Sequence, residues 1–116
     1  MIDTKTVRKL ALSFDEAEES PHFDKAAFRI RKKIFATLDN KRNHVILKLS
    51  PVDQSVFCSY KKDVIYPVPG AWGKLGWTVV DMKKVRKDMF KDALTTAYCT
   101  VAPKKLAVKY TPEDSD

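Results

Sequence analysis

The residues of this chain that are best suited to chemistry are cations lying close to aromatic rings. Four of these cations fall within five consecutive positions of the stretch PHFDKAAFRIRKKIFATL, namely Arg29, Arg31, Lys32 and Lys33. Such a cluster can hold phosphate groups, because phosphate contacts need only flexible positive charge at a suitable spacing. The alternative is the solvated outer face of a sheet, since charged side chains most often face water.

Both tryptophans lie in a second unusual stretch, PVPGAWGKLGWTVVD, around a glycine-rich turn. An exposed tryptophan beside Lys74 can stack on an unpaired base, an interaction worth roughly 1–3 kcal/mol per base. The alternative is core packing, in which the glycines let the backbone turn tightly around buried rings. We expect Trp77 in the core because it shares a strand with Val79, whereas both alternatives stay open for Trp72.

No catalytic or metal-binding motif accompanies these stretches. The sequence has no phosphate-binding loop, no dinucleotide fingerprint and no nucleophile elbow around Ser50, which instead resembles a helix cap. His22 and His44 have no positioned nucleophile beside them, so a structural role is the better interpretation. Cys58 and Cys99 are too far apart for a metal knuckle or a redox pair. We therefore expect no catalytic residue, no metal, no cofactor and no enzymatic activity.

The charge distribution restricts the possible partners. The 116 residues carry a formal net charge of +7, and the interior segment 25–109 holds 19 Lys or Arg against six Asp. A field of this sign favours polyanions, such as nucleic acid, an anionic membrane surface or an acidic protein. The sequence has neither an apolar run long enough to cross a bilayer nor a secretory signal. It predicts a cytoplasmic protein without a membrane partner, and it favours a monomer.

Apolar periodicity predicts the helices. A stripe at helical spacing predicts a first helix over Thr4 to Glu19, capped by Asp3 or Thr4 and ended by Ser20-Pro21. The other predicted helices are a short one from its cap Ser50 to about Tyr60, one capped by Asp81, and a final segment from Tyr98 to Tyr110.

Five runs between these helices have the composition of strands. They are Phe28 to Arg31, Ile34 to Leu38, His44 to Leu49, Val64 to Val68 and Leu75 to Val80. Alternation in the first run directs Phe28 and Ile30 toward a core and the two arginines toward water or a partner. Lys32 and Lys33 are expected to form the turn into the second strand.

This order of elements predicts the fold class. Strands bracketed by helices indicate a single α+β domain over residues 1–116, with helices packed on one antiparallel sheet of about five strands. The predicted order is α-β-β-β-α-β-β-α(α), and residues 111–116 are expected to form a frayed tail.

Four stretches, PHFDKAAFRIRKKIFATL, VILKLSP, PVPGAWGKLGWTVVDM and VAPKKL, resemble the MmcQ/YjbR-like proteins, in the expected order along nearly the whole chain. The resemblance implies a CyaY-like α+β domain of the double-wing type, which is named DNA-binding by structural similarity to a phage transcription-factor domain. Within the family pattern Lys33 corresponds to a recurrent lysine. The CyaY-like label also raises iron binding, but hard oxygen ligands are dense only at Asp15 to Glu19, which makes this a weak interpretation.

These observations lead to one prediction of function and one alternative. The prediction is non-sequence-specific binding of nucleic-acid (DNA) backbones through a basic sheet face. The residues expected to supply the site are Arg29, Arg31, Lys32, Lys33, Lys48, Trp72 and Lys74. The alternative is a protein-interaction adaptor without a nucleic-acid role, in which the same face or the Trp72 loop binds an acidic protein.

Overall fold

The computed structural model describes residues 1–111, and within them the chain forms five helices and six strands. In chain order these are α1 (Thr4–Leu12), β1 (Ala17–His22), β2 (Lys25–Ile30), β3 (Lys33–Asp39), β4 (His44–Lys48), α2 (Pro51–Cys58), β5 (Ile65–Pro67), α3 (Ala71–Lys74), β6 (Trp77–Asp81), α4 (Lys87–Val101) and α5 (Lys104–Ala107). None of the helices in this part of the chain is both long and apolar enough to cross a membrane.

The strands form one antiparallel sheet in the order β1-β2-β3-β4-β6-β5. The predicted α+β class with a single antiparallel sheet is therefore confirmed, with six strands in place of about five. The additional strand is β1, which pairs with β2 from Ala17 opposite Ile30 to His22 opposite Lys25.

The prediction of one helix from Thr4 to Glu19 is wrong in its second half. Asp3 caps α1 as expected, since its carboxylate accepts a hydrogen bond from the Thr6 amide at 2.8 Å. The helix ends at Leu12, and Glu16 then adopts a left-handed backbone with φ of 62° that turns the chain into β1. Because β1 is an edge strand, it tolerates Pro21 and charged residues that would be unusual in the middle of a sheet.

The C-terminal helices also begin at other residues than predicted. Asp81 is the last residue of β6 and accepts a hydrogen bond from the Lys83 amide at 2.9 Å, so it closes a turn and does not cap a helix. Helix α4 runs without a break through the predicted boundary at Tyr98. Pro103 separates it from α5, because the residue before a proline avoids helical geometry. Of the predicted tail, residues 112–116 lie outside the described part of the chain.

The turn between β2 and β3 lies one residue earlier than predicted. Arg31 and Lys32 form it, with φ angles of 49° and 72°. Two central residues with positive φ are typical of a type I′ hairpin turn, whose twist suits antiparallel strands. Lys33 is therefore the first residue of β3, and Arg31 belongs to the turn and not to a strand.

The helices α1, α2, α4 and α5 pack against one face of the sheet. The core there includes Val7 of α1 and Phe90 of α4 together with Phe28, Leu47 and Val80 of the strands. We call the other surface of the sheet the open face. Strand register places one row of its residues side by side: Ser20, Ala27, Thr37, Ile46, Val79 and Tyr66.

Candidate nucleic-acid interface

All seven residues predicted for the site lie toward the same end of the sheet. Strand β2 ends and β3 begins there, where Ile30 is paired with Lys33, and β4 ends beside the start of β6, where Lys48 is paired with Trp77. Short helix α3 directly precedes β6 and carries Trp72. Because neighbouring strands lie about 4.8 Å apart, the ends of β2 and β6 are separated by about 14 Å.

Arg29 is half-buried on the open face and is held in place by neutral partners. Its Nε donates to the Ser20 hydroxyl at 2.9 Å, and its Nη1 donates to the Lys32 carbonyl at 3.2 Å. Glu18 lies opposite it on β1, but no ion pair involving Arg29 forms within residues 1–111. The guanidinium is therefore positioned by hydrogen bonds that leave its charge uncompensated.

Arg31 differs from Arg29 because a carboxylate compensates its charge. Its Nε and Nη2 donate to the two carboxylate oxygens of Glu16 at 3.0 and 3.3 Å. These hydrogen bonds lower the pKa of Glu16 below its usual value and raise the pKa of Arg31. Arg31 is thus near the other candidates but is already occupied by an anion of the same chain.

Three of the four lysines of the predicted site, Lys32, Lys33 and Lys74, are exposed, and their ammonium groups make no hydrogen bond or ion pair within the described residues. Lys33 is opposite Ile30 in register, so it starts from the helix-covered side of the sheet at the very end of its strand. We call the group formed by Arg29, Lys32, Lys33, Lys48 and Lys74 the basic end.

Lys48 and Trp77 form a pair on the open face. The Lys48 ammonium lies 5.5 Å from the centroid of the Trp77 ring and donates to the Leu75 carbonyl. The prediction that Trp77 lies in the core is wrong: the ring is half-buried on the open face. Trp77 does share a face with Val79, as alternation requires, but that face is the one opposite to the helices.

Trp72 is the exposed tryptophan of the pair, with 64% of its surface accessible. Its ring meets Trp77 edge to face, with centroids 6.5 Å apart and planes at 69°. Leu75, at the end of the same short helix, is also exposed, at 56%. The loop predicted from the glycines is therefore a helical turn that presents apolar side chains beside Lys74.

Comparison with known proteins fits this arrangement of strands and helices. A sequence model of the YjbR family matches residues 12–100. The chain belongs to the YjbR family. Among solved structures, protein DR2400 of Deinococcus radiodurans, described with the domain name DUF419, has a similar fold, with a TM-score of 0.78 at 18% identity, covering 100% of this chain and 93% of that chain. No curated protein matches the sequence.

The predicted MmcQ/YjbR-like resemblance is thereby confirmed, and all seven candidate residues lie within the segment matched by the YjbR family. The likeness to DR2400 at 18% identity shows a common fold. Fold alone does not determine function, so the chemistry of this YjbR-family protein has to be argued from its own side chains.

Sequence reasoning missed the residues that form the middle of the open face. Ile34, Ile46 and Tyr66 are partly exposed there, and Val79 is almost covered by its neighbours. The sequence of β4 did contain a signal for this face. Alternation there directs Ile46 to the face opposite that of its buried neighbours Val45 and Leu47. Which of the two faces the helices cover could not be read from this alternation.

Burial disfavours reactivity at three other side chains of the YjbR-family protein, Tyr98, Cys58 and Cys99. Tyr98 donates its hydroxyl to the Asp15 carbonyl at 2.7 Å, and burial raises its pKa to about 12, which makes it unsuitable for proton transfer near neutral pH. Burial likewise raises the pKa of the thiols of Cys58 and Cys99, which disfavours reactive thiolates. Within residues 1–111, no three His, Cys, Asp or Glu side chains are grouped so that they could hold a metal ion.

A groove of about 860 Å³ separates α2 from α4. Three threonines of α4 line it, but each donates its hydroxyl to a carbonyl of its own helix, four residues earlier. These hydroxyls are therefore engaged within their own helix, whereas the ammonium groups of Lys32, Lys33 and Lys74 have no partner within residues 1–111.

Proposed function

We propose that this YjbR-family protein binds the phosphate backbone of nucleic acid at the basic end of its sheet, without sequence preference. The observation that carries the proposal is that five cations without an ion pair within residues 1–111 lie toward one end of the sheet, where strands β2 to β6 span about 14 Å. Phosphates spaced along a strand are the natural counterions for such a row of charges.

The types of residue at the basic end support backbone binding over base recognition. Four of its five members are lysines, which act as flexible point charges and contact phosphate without a fixed geometry. Reading base edges requires side chains that pair with donors and acceptors in a groove, typically arginine, asparagine or glutamine. The one arginine, Arg29, has Nε and Nη1 engaged by Ser20 and Lys32.

Fluorescence anisotropy of labelled DNA, titrated over a series of salt concentrations, tests the proposal. With three to five phosphates neutralised, we expect the logarithm of the binding constant to fall against the logarithm of salt with a slope of roughly −3 to −5. Heparin and an acidic protein serve as competitors. No binding at ~50 mM salt, or equal binding of every polyanion, contradicts the proposal.

Two charge-reversed variants distinguish the effect of the basic end on DNA binding from the effect of the protein's net charge. Lys32→Glu, Lys33→Glu and Lys74→Glu together remove three exposed cations without breaking any interaction of their ammonium groups within the described residues. The matched control reverses three exposed cations of the helical layer, Lys87, Lys91 and Lys104. We expect the first variant to lose about three units of salt slope and the control to keep its slope. Equal losses in both would show that net charge alone determines binding.

The alternative, an adaptor for an acidic protein, is favoured by the exposure of Trp72 and Leu75 beside Lys74. Exposed apolar side chains next to charge are typical of protein interfaces. Recovery of one stoichiometric partner after nuclease treatment, lost in the Lys74→Glu variant, would support this function. The cytoplasmic location and the monomeric state both stay predictions from the sequence.

A further inference from the structure

We infer that the nucleic acid bound at the basic end is single-stranded and that one of its unpaired bases stacks on Trp72. This inference rests on the proposed function and specifies its ligand. Its basis is the pair of Trp72 and Trp77. Phosphate binding by the basic end does not require this pair.

Trp72 is presented on a backbone with little freedom to move. The Gln54 amide of α2 donates to the carbonyls of Gly73 and Trp77 at 2.9 and 3.2 Å. A side chain at Gly73 would lie 2.0 Å from the Val68 carbonyl oxygen, so α3 packs directly on the preceding segment. An aromatic ring on a fixed backbone loses little entropy when a ligand binds.

The two tryptophan rings differ in what they offer to a ligand. The Lys48 ammonium lies over the Trp77 ring, and that side chain is half-buried. Trp72 contacts Trp77 edge to face and leaves 64% of its surface accessible. Trp72 therefore has ring surface available for a planar partner, with Trp77 supporting it from the side.

Two cations near the tryptophan pair favour an anionic ligand with planar groups. Lys74 follows it on α3, and Lys48 lies next to its neighbour Trp77. Single-stranded nucleic acid combines phosphates with exposed base faces, whereas the bases of a duplex are already stacked on one another inside the helix. Beyond the tryptophans, the partly exposed side chains of Ile46 and Tyr66 continue the open face, and further bases can lie on them.

Binding of an oligothymidine of about 16 nucleotides and of a duplex of equal length, measured with the full chain at one salt concentration, tests the inference. We expect Trp72→Ala to weaken single-strand binding roughly 5- to 150-fold, equivalent to about 1–3 kcal/mol for one stacked base. Duplex binding should change less. Trp72→Phe, which keeps an aromatic face, should retain most of the affinity.

Leu75→Ala is the matched control, because it removes an apolar side chain of similar exposure that cannot stack. The protein has two tryptophans, so in the Trp77→Phe variant the emission comes from Trp72 alone. We expect that emission to be quenched as the oligonucleotide binds, because a stacked base contacts the indole directly.

The outcomes distinguish this inference from the proposed function. The stacked base is overturned if binding depends on salt but does not prefer single strands, and if Trp72→Ala and Leu75→Ala change the affinity for DNA by the same factor. Binding to the phosphate backbone would then remain intact. Absence of any nucleic-acid binding overturns both. Capture of an acidic protein that depends on Trp72, without nucleic-acid binding, assigns the same surface to a protein partner instead.

Discussion

The two faces of the sheet are made from the same strands but have different chemistry. On β4, Val45 and Leu47 are buried in the core, while Ile46 and Lys48 between and after them lie on the open face. The helix-covered face is continuous and apolar, whereas the open face changes from apolar in its middle to cationic at one end. The difference indicates that the first face maintains the fold and the second is available for binding.

The largest expected effect is a loss of stability when a side chain on the helix-covered face is shortened. Leu47 is fully buried in the core, so Leu47→Ala should lower the free energy of unfolding by about 2–5 kcal/mol through lost burial and a residual cavity. Urea denaturation followed by circular dichroism measures this loss.

The neighbouring residue provides the control for this comparison of faces. Ile46→Ala removes a side chain of the same size from the partly exposed open face, and we expect a loss of about 1 kcal/mol or less. Equal losses at positions 46 and 47 would mean that both faces belong to the core, which would remove the basis for treating the open face as a binding surface.

Much of this architecture could be predicted from sequence because the strong local signals agree with the fold. Residues Phe28 to Ile30 of β2 and the whole of β4 alternate between the two faces, and Ser50 caps α2 as expected, accepting a hydrogen bond from the Asp53 amide at 3.1 Å. Strand β1 was not recognised, because the sequence AEESPH has the composition of an exposed segment and follows a helical stripe. Its formation depends on pairing with β2, a contact that no local pattern reveals.

The candidate site was predictable only in part for the same reason. The clustering of the seven residues follows from the strand order, of which the sequence predicted only the succession of β2, β3 and β4 and not the pairing of β4 with β6. The partner of Arg31 did not follow, because Glu16 lies just before the unrecognised strand β1. Trp77 was assigned to the wrong face because alternation defines two faces without stating which one the helices cover.

A smaller effect concerns Asp39, a carboxylate at the far end of the open face that is only 6% exposed. Burial by itself would raise its pKa, but hydrogen bonds from the amides of Arg42 and Lys41 and from the Arg42 guanidinium outweigh burial and lower it. A lowered pKa in the folded state stabilises the protein above the unfolded pKa, near 3.9, and this contribution is lost as pH falls through the folded pKa.

Asp39→Asn should therefore reduce the difference in unfolding free energy between pH 6 and pH 3, because the amide does not titrate. Urea denaturation at the two pH values measures that difference. Asp92→Asn, at an exposed carboxylate without an ion pair in the described part of the chain, controls for the loss of one negative charge. If the unfolding free energy of Asp39→Asn depended on pH as strongly as that of the original protein, the hydrogen bonds assigned to the Asp39 carboxylate would be contradicted.

The smallest expected effect concerns Arg31, whose charge is compensated by Glu16, and whether it can contribute to DNA binding alongside the basic end. If Glu16 neutralises Arg31, then Glu16→Gln frees one cation beside Lys32 without altering the size of the side chain. We expect DNA binding to become a few-fold tighter and its salt slope to steepen by about one unit.

The matched control is Asp63→Asn, which breaks the ion pair of Lys84, a residue that follows β6 and lies outside the basic end. Both variants raise the net charge by one, so a purely long-range effect would be equal in the two. A steeper slope in Glu16→Gln alone would show that Arg31 joins the phosphate contacts once its own carboxylate is removed. Identical behaviour would instead place Arg31 beyond the reach of the bound strand and limit the site to the cations on the open face and at its rim.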